Sequence, residues 1–554
     1  MDHPDANVQQ CRDLVAGLAD IGVVTAFISP GSRNTPLTLA FASSGRIEDV
    51  SIRDERSAGF AALGAAKASG VPSVVVCTSG SAAAHYLPAI IEADQTSTPM
   101  IVVTADRPIA LRGTFAPQTM DQTNLYGTHV KASVEFGSPK MDWRESARAV
   151  VATARHGAPG VVHVNVPLSE PLVPASLPPT ADTPPADGAR TGAPDQAIGI
   201  PDLADDLANR RVLIVAGGSC DRSFPSLLGA YAESLAAPVI ADPQCAPDHP
   251  NTLRSADMLA RTGHLKELQP DVVLRFGGLP TSMTVWKWLE SCGIQQVLVS
   301  RSRLSDPLDS ASVLLDVAPA DFVEQPPDFV ADATYLAHWQ AADRLVTRAI
   351  GDAMSSTVPT EPSVARAVTE FVPAASAVFV GSSMPIRDVD TYGISRSDVR
   401  IIGNRGVNGI DGSLSTAMGM ALSGVPTTAL VGDVAALHDA TALSEIGRLA
   451  APLRIVVVNN NGGGIFSFLP QRRSRVVPDD VYEKHWGTPH DLSLTAIAQA
   501  MGLDAMRIDA MDDLIQTVSS PIRPELIEVV TDRSENVDVH RGISAAVREA
   551  LAAT

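Results

Sequence analysis

Two polar turns in the last third of the sequence carry the chemistry that is easiest to name. Residues 430–466 read LVGDVAALHDATALSEIGRLAAPLRIVVVNNNGGGIF. One apolar run ends in Gly432-Asp433 and a second ends in Asn459-Asn460-Asn461-Gly462-Gly463, with a helical pattern between them. In a parallel sheet the carboxyl ends of both strands open on one crevice, where ligands usually bind. Asp433 and Asn460 then present a carboxylate and an amide oxygen to a single hard cation. Mg²⁺ favours such a set, a few protein oxygens completed by phosphate and water. Backbone amides opening the helix near Ala435 and Ala436 favour an anion at the same place. Together these residues describe a site for a diphosphate held through Mg²⁺. The plainer reading is an ordinary doubly wound fold with polar residues at two turns.

The first third supplies a second set of candidates. ISPGSRNTPL (28–37) places Ser32 and Arg33 where a strand gives way to a helix, although an arginine there also suits a surface turn. SIRDERSAGFAALGAAKA (51–68) places Glu55 at another strand-to-helix junction. An acid at that position also simply complements a helix N-terminus. CTSGSAAAHYLPAIIEA (77–93) offers Thr78 and Ser79 as hydrogen-bond donors, and TADRPIALRGTFAPQTMDQ (104–122) adds Arg107 and Gln118.

The elements that must position these side chains alternate in type. Strands are expected at 23–29, 50–52, 73–78, 100–105 and 161–166, with helices between them, for example over 58–68 and 82–93. A second block has runs at 211–218, 238–242, 271–277, 295–300 and 312–317, and a third at 377–382, 400–404, 427–431, 454–459 and 526–531. Strand-helix alternation implies parallel sheets. The expected fold is α/β, with three consecutive doubly wound parallel-sheet domains over 1–185, 195–345 and 355–554. A Pro-, Ala-, Thr- and Asp-rich stretch over 171–201 reads as a linker, and a helix over about 331–354 connects the second and third blocks.

A chain of 554 residues, 45% apolar, has room for several cores. A net charge of −20 argues against a general nucleic-acid or anionic-membrane surface. Five widely spaced cysteines form no CxxC pair, which suits a reducing cytosol. The N-terminus has no signal-peptide pattern, and no run reaches the roughly 20 apolar residues of a membrane span. A cytoplasmic protein is expected.

In order along the chain, SPGSR, DER with its helix, CTSG, ADRP, GSSMPIR (381–387), NRGVNGIDG (404–412) and GD…NNNGG resemble one family. This is the 2-succinyl-5-enolpyruvyl-6-hydroxy-3-cyclohexene-1-carboxylate synthase (MenD) family of thiamin-diphosphate enzymes. The resemblance spans nearly the whole chain, strongest in the first and third blocks. It implies a transferase of menaquinone biosynthesis that decarboxylates 2-oxoglutarate and adds the succinyl unit to isochorismate. It also implies thiamin diphosphate with Mg²⁺, or Mn²⁺ in its place. The cofactor would lie between the first domain of one subunit and the third domain of its partner, so a homodimer or a dimer of dimers is expected.

By that resemblance Glu55 meets the cofactor's aminopyrimidine ring and shares a proton with it. Thr78, Ser79, Asn408 and Ile410 join it in cofactor binding, with Ile410 wedging the bent conformer. Gly432, Asp433, Val434, Ala435, Asn460 and Gly462 take the diphosphate end, and Asp433, Asn460 and Gly462 the metal. Ile465 and Phe466, with Leu469, form an apolar wall. Ser32, Arg33, Arg107, Gln118, Ser383, Arg387 and Arg405 receive the substrates, whose several carboxylates call for arginines. Two departures stand out: Val434 replaces the motif's usual glycine, and Met283 and Thr284 occupy the positions of a basic pair over the second substrate. Lys287, Arg301 and Arg303 are the nearby replacements. Another thiamin-diphosphate decarboxylase or carboligase, or a silent binding protein on the same scaffold, are the competing readings.

Overall fold

The computed structural model describes residues 4–138, 140–176, 203–218, 223–301, 306–307 and 309–553. From residue 177 on, the expected linker lies outside the described residues, as does Arg303. The chain packs as two compact units. The first comprises Met1–Gln196, Asn404–Val425 and His438–Pro452, and the second Ala197–Gly403, Pro426–Leu437 and Leu453–Thr554.

The first unit is built on six strands: β1 (Thr25–Ile28), β2 (Glu48–Ser51), β3 (Ser73–Cys77), β4 (Met100–Asp106), β5 (Ala132–Glu135) and β6 (Val161–Pro167). All pairings are parallel, in the order β2-β1-β3-β4-β6-β5. β3 (SVVVC) and β4 (MIVVTAD) are buried along their whole length. Continuous β-branched runs of this kind mark strands covered on both faces. The helix Glu55–Ser69 starts from Asp54, whose carboxylate accepts from the backbone N–H of Arg56 and Ser57, and stops at Gly70 in the left-handed region (φ 72°). It packs on the helix Ser413–Leu422 of the same unit. A Cβ on Gly64 would strike the Thr416 carbonyl, and one on Gly419 would strike the Ala61 carbonyl. The two backbones meet at this reciprocal pair of glycines, which no larger residue permits.

The second unit holds two sheets. β7 (Val212–Ala216), β8 (Val239–Ala241), β9 (Val272–Phe276), β10 (Gln295–Val299) and β11 (Val313–Leu315) pair in the order β11-β10-β9-β7-β8. β12 (Ser376–Val380), β13 (Val399–Ile402), β14 (Thr427–Gly432), β15 (Leu453–Asn459), β16 (Asp504–Arg507) and β17 (Glu525–Val530) pair in the order β13-β12-β14-β15-β17-β16. The connecting helix Ala333–Ala353 packs Trp339, Val346 and Ile350 into a core shared with Ile543 and Val547 of the helix Arg533–Ala552.

Each expected strand is present, shifted by no more than a few residues. β5 and β16 are additional. Both are last in their sheets and read ASVE and DAMR, partly exposed edge strands without the apolar run that marks a buried one. Among the described residues no helix is long and apolar enough to cross a membrane.

Candidate active site

In each six-stranded sheet the chain leaves the first strand to one side and returns to the third on the other. The carboxyl ends of β1 and β3, and of β12 and β14, are therefore topological switch points, where doubly wound folds bind ligands. Ser32, Arg33, Thr78, Ser79, Ser383 and Asp433 follow these strands, and Glu55, Arg107, Arg405 and Asn460 follow the neighbouring strands β2, β4, β13 and β15.

In the first unit Arg33 follows β1 and is 5% exposed. Its Nη1 donates to the Leu168 carbonyl at 2.8 Å, and its Nη2 lies 3.0 Å from the exposed Glu170 carboxylate. Burial first, then the neighbouring Arg107 cation, pull the Arg33 guanidinium below its ordinary pKa. The Nε atoms of both arginines are buried with no hydrogen-bond partner. Two adjacent guanidiniums with unused donors make a place for an anion. Ser32 is exposed beside them. Thr78 and Ser79 follow β3, both buried. Thr78 Oγ1 accepts from the Arg33 N–H, and Ser79 Oγ has no partner. Gln118 donates to the Ser79 carbonyl at 2.9 Å from a backbone with φ 56°.

Glu55 follows β2 and is half-buried. The capping role that would explain an acid here belongs to Asp54, its neighbour. The Glu55 carboxylate has no hydrogen-bond partner among the described residues. With burial, its charge helps to push the Cys77 thiol up at the end of β3.

Arg405, Asn408 and Ile410 also belong to the first unit. Their loop hangs on a buried ion pair that the motifs do not reveal. Lys67 Nζ lies 3.0 Å from Glu92 Oε1, with both side chains 2% exposed, and donates to Asn404 Oδ1 at 3.1 Å. The Glu92 carboxylate accepts from the N–H groups of Gly406 (3.0 Å) and Val407 (2.9 Å). A buried pair of this kind is worth having only when its remaining valences are met. Here the loop meets them. Asn408 is exposed at φ 59°, and Arg405 and Ile410 are half-buried.

In the second unit Asp433 follows β14 and is 2% exposed. Its Oδ1 accepts from the Val434 N–H at 2.7 Å and its Oδ2 from the Gly462 N–H at 2.9 Å, with His490 Nε2 3.1 Å from the same oxygen. The helix that begins here, Asp433–His438, is short, with Ala435 buried in it and Val434 half-buried. Asn460 follows β15, and its Oδ1 is buried with no hydrogen-bond partner. The Gly462 carbonyl accepts from Gly464 N–H and keeps its second lone pair. Among the described residues no group of three or more His, Cys, Asp or Glu stands together as a metal cage. One carboxylate, one orphaned amide oxygen and one carbonyl fit a cation that is completed by a diphosphate, as Mg²⁺ prefers.

Ser383, after β12, carries an unusual backbone (φ 79°, ψ −130°) for a residue with a side chain, and its carbonyl accepts from Arg387. Such conformations concentrate at functional sites. Ile465, Phe466 and Leu469 are half-buried on and beside the turn Gly464–Phe468, so they are not ordinary core residues. The turn is closed from outside by a π-helical turn, Glu483–Gly487, whose Gly487 carbonyl accepts from Gly463 N–H at 2.8 Å. A Cβ on Gly462 (φ 131°) would collide with the same carbonyl. Met283 is 54% exposed at the start of the helix Met283–Cys292 and Lys287 is exposed on it, whereas Arg301 lies 3.1 Å from Asp321.

Three residues near the second-unit site have no motif to announce them: His490, Glu361 and Asp388. Burial first, then the charges of Asp388 and Asp433, push the Glu361 carboxyl up to about 8. His490 ends a charge-rich stretch, 471–490, that closes in GTPH.

Comparison with known proteins defines the class. Residues 11–125 match the model of the thiamine pyrophosphate enzyme N-terminal TPP binding domain, and residues 390–529 that of the C-terminal TPP binding domain. The chain is a thiamin-diphosphate enzyme with both cofactor-binding domains. It is also similar over nearly its full length to 2-succinyl-5-enolpyruvyl-6-hydroxy-3-cyclohexene-1-carboxylate synthases. The relative from Myxococcus xanthus is 37% identical, covering 98% of each chain. That from Enterococcus faecalis is 35% identical over 99% of this chain and 98% of the relative. That from Oceanobacillus iheyensis is 33% identical over 100% and 99%. The chain belongs to this synthase family.

Proposed function

We propose that the enzyme releases CO₂ from 2-oxoglutarate and adds the remaining succinyl unit to isochorismate, the step that the synthase family contributes to menaquinone biosynthesis. Bound thiamin diphosphate supplies an electron sink for the carbon that loses CO₂. The protein's own residues do the rest. Glu55 holds the proton exchanged with the cofactor's ring nitrogen, and Ile410 and Asn408 shape the cofactor's seat beside Thr78 and Ser79. Asp433, Asn460 and the Gly462 carbonyl hold Mg²⁺, with Gly432, Val434 and Ala435 around the diphosphate. Arg33, Arg107, Arg387 and Arg405, with Ser32, Gln118 and Ser383, bind the substrate carboxylates. Ile465, Phe466 and Leu469 keep water from the reacting carbon.

The observation that carries this reading is the Arg33–Arg107 pair, two crowded cations with buried, unused Nε–H donors. A small uncharged acceptor would not need them, which separates this reading from a simple decarboxylase. The three domains are proposed at 1–185, 195–345 and 355–554, each supported by one sheet. The enzyme is proposed to work in the cytoplasm as a dimer or a dimer of dimers, with the cofactor shared between subunits. A fully active monomer in sedimentation would contradict the oligomer. With Mg²⁺ and thiamin diphosphate, isochorismate consumption should depend on 2-oxoglutarate, with matched CO₂ release. Ready decarboxylation of pyruvate, with isochorismate untouched beside 2-oxoglutarate, would overturn the synthase reading.

A further inference from the structure

Asn460 has two faces. Its Nδ2 donates to Glu361 Oε1 at 2.8 Å. Its Oδ1 is buried and has no hydrogen-bond partner. Glu361 opens the helix Glu361–Phe371, is 4% exposed, and also takes a hydrogen bond from Thr531 Oγ1 at 3.4 Å. A planar amide has its donor and acceptor on opposite sides. With the NH₂ side engaged by a carboxyl oxygen, the amide oxygen must face the other way. That oxygen is left as a bare acceptor in the same buried region as Asp433. A buried acceptor is costly unless a donor or a cation meets it.

We infer that Glu361 is a positioning residue for the metal: it turns the Asn460 amide so that Oδ1 faces the divalent cation. This rests on the reading of Asp433 and Asn460 as Mg²⁺ ligands. Glu361 itself does not touch the ion. It acts as the outer-shell partners of metal ligands do, by fixing which atom of the ligand points inward.

A purely structural role, tying the helix start to the end of β15, would produce the same contact, so the test separates ion binding from stability. Glu361→Gln keeps an oxygen that accepts from the Asn460 NH₂ and should hold Mg²⁺-dependent binding of thiamin diphosphate to within about tenfold of the wild type. Glu361→Leu removes that acceptor, frees the amide to turn, and should weaken Mg²⁺-dependent binding by about 10–100-fold. The small cofactor uptake measured without Mg²⁺ should stay as it is in the wild type, whereas a structural role would lower melting and both uptakes together. Glu361→Ala gives the same reading if the leucine variant does not fold. The readout is calorimetry with and without Mg²⁺ on variants whose melting is checked. A folded Glu361→Leu or Glu361→Ala protein with wild-type Mg²⁺-dependent affinity overturns the assignment. Wild-type protein whose cofactor uptake ignores Mg²⁺ would instead remove the metal reading on which it rests.

Discussion

The two six-stranded sheets share one strand order, yet their strand ends carry different chemistry. Numbering strands within each sheet, the order is 2-1-3-4-6-5 in both. After the first strand come Ser32 and Arg33 in one sheet, and Ser383 and Arg387 in the other. After the second come Glu55, and Arg405, Asn408 and Ile410. The third is followed by the hydroxyls of Thr78 and Ser79 in one case and by the Asp433 carboxylate in the other. The fourth is followed by Arg107 and Gln118, and by Asn460 and Gly462. Arginine and serine recur at matching places, whereas the glutamate of one sheet and the aspartate and asparagine of the other do not. The fold supplies positions, and the residues grafted there decide the chemistry. On the proposed function, Glu55 serves proton exchange, and Asp433 with Asn460 serves the metal.

The sharpest way to break that division is at Glu55. Glu55→Gln should still bind thiamin diphosphate yet lose turnover by about 10²–10⁴-fold, the usual worth of a positioned acid or base. Deuterium exchange at the thiazolium carbon as fast as in the wild type would show that proton handling lies elsewhere. The arginines after the first two strands of the third sheet predict smaller effects. Arg387→Ala and Arg405→Ala should each cost about 1.5–3 kcal/mol, roughly 10- to 150-fold, in kcat/KM for the anionic substrates. The loss should leave cofactor affinity in place. Unchanged kcat/KM for both 2-oxoglutarate and isochorismate would remove these residues from substrate binding.

Much of the comparison is legible in the sequence because strand ends announce themselves. A β-branched run that stops at Gly-Asp or Asn-Asn fixes both a strand and the place of its last polar residue. The edge strands β5 and β16 are silent for the opposite reason: half-exposed, they need no apolar run. The supporting residues are silent too. Glu92 sits in an ordinary helix, and only folding brings it to the amides of Gly406 and Val407. Glu361 lies far along the chain from Asn460, and His490 from Asp433. Local pattern cannot carry contacts made across such separations. Glu55 shows a subtler limit, since both Asp54 and Glu55 could cap the helix on paper. The backbone assigns the cap to Asp54 and leaves Glu55 available.

The division of labour is tested most directly by calorimetric titration of thiamin diphosphate, with and without Mg²⁺, into Asp433→Ala and Glu55→Gln side by side. Asp433→Ala should lose Mg²⁺-dependent binding, because the remaining amide and carbonyl oxygens cannot anchor the ion without a carboxylate. Glu55→Gln should keep it. A folded Asp433→Ala protein with unchanged, Mg²⁺-dependent affinity would contradict the account.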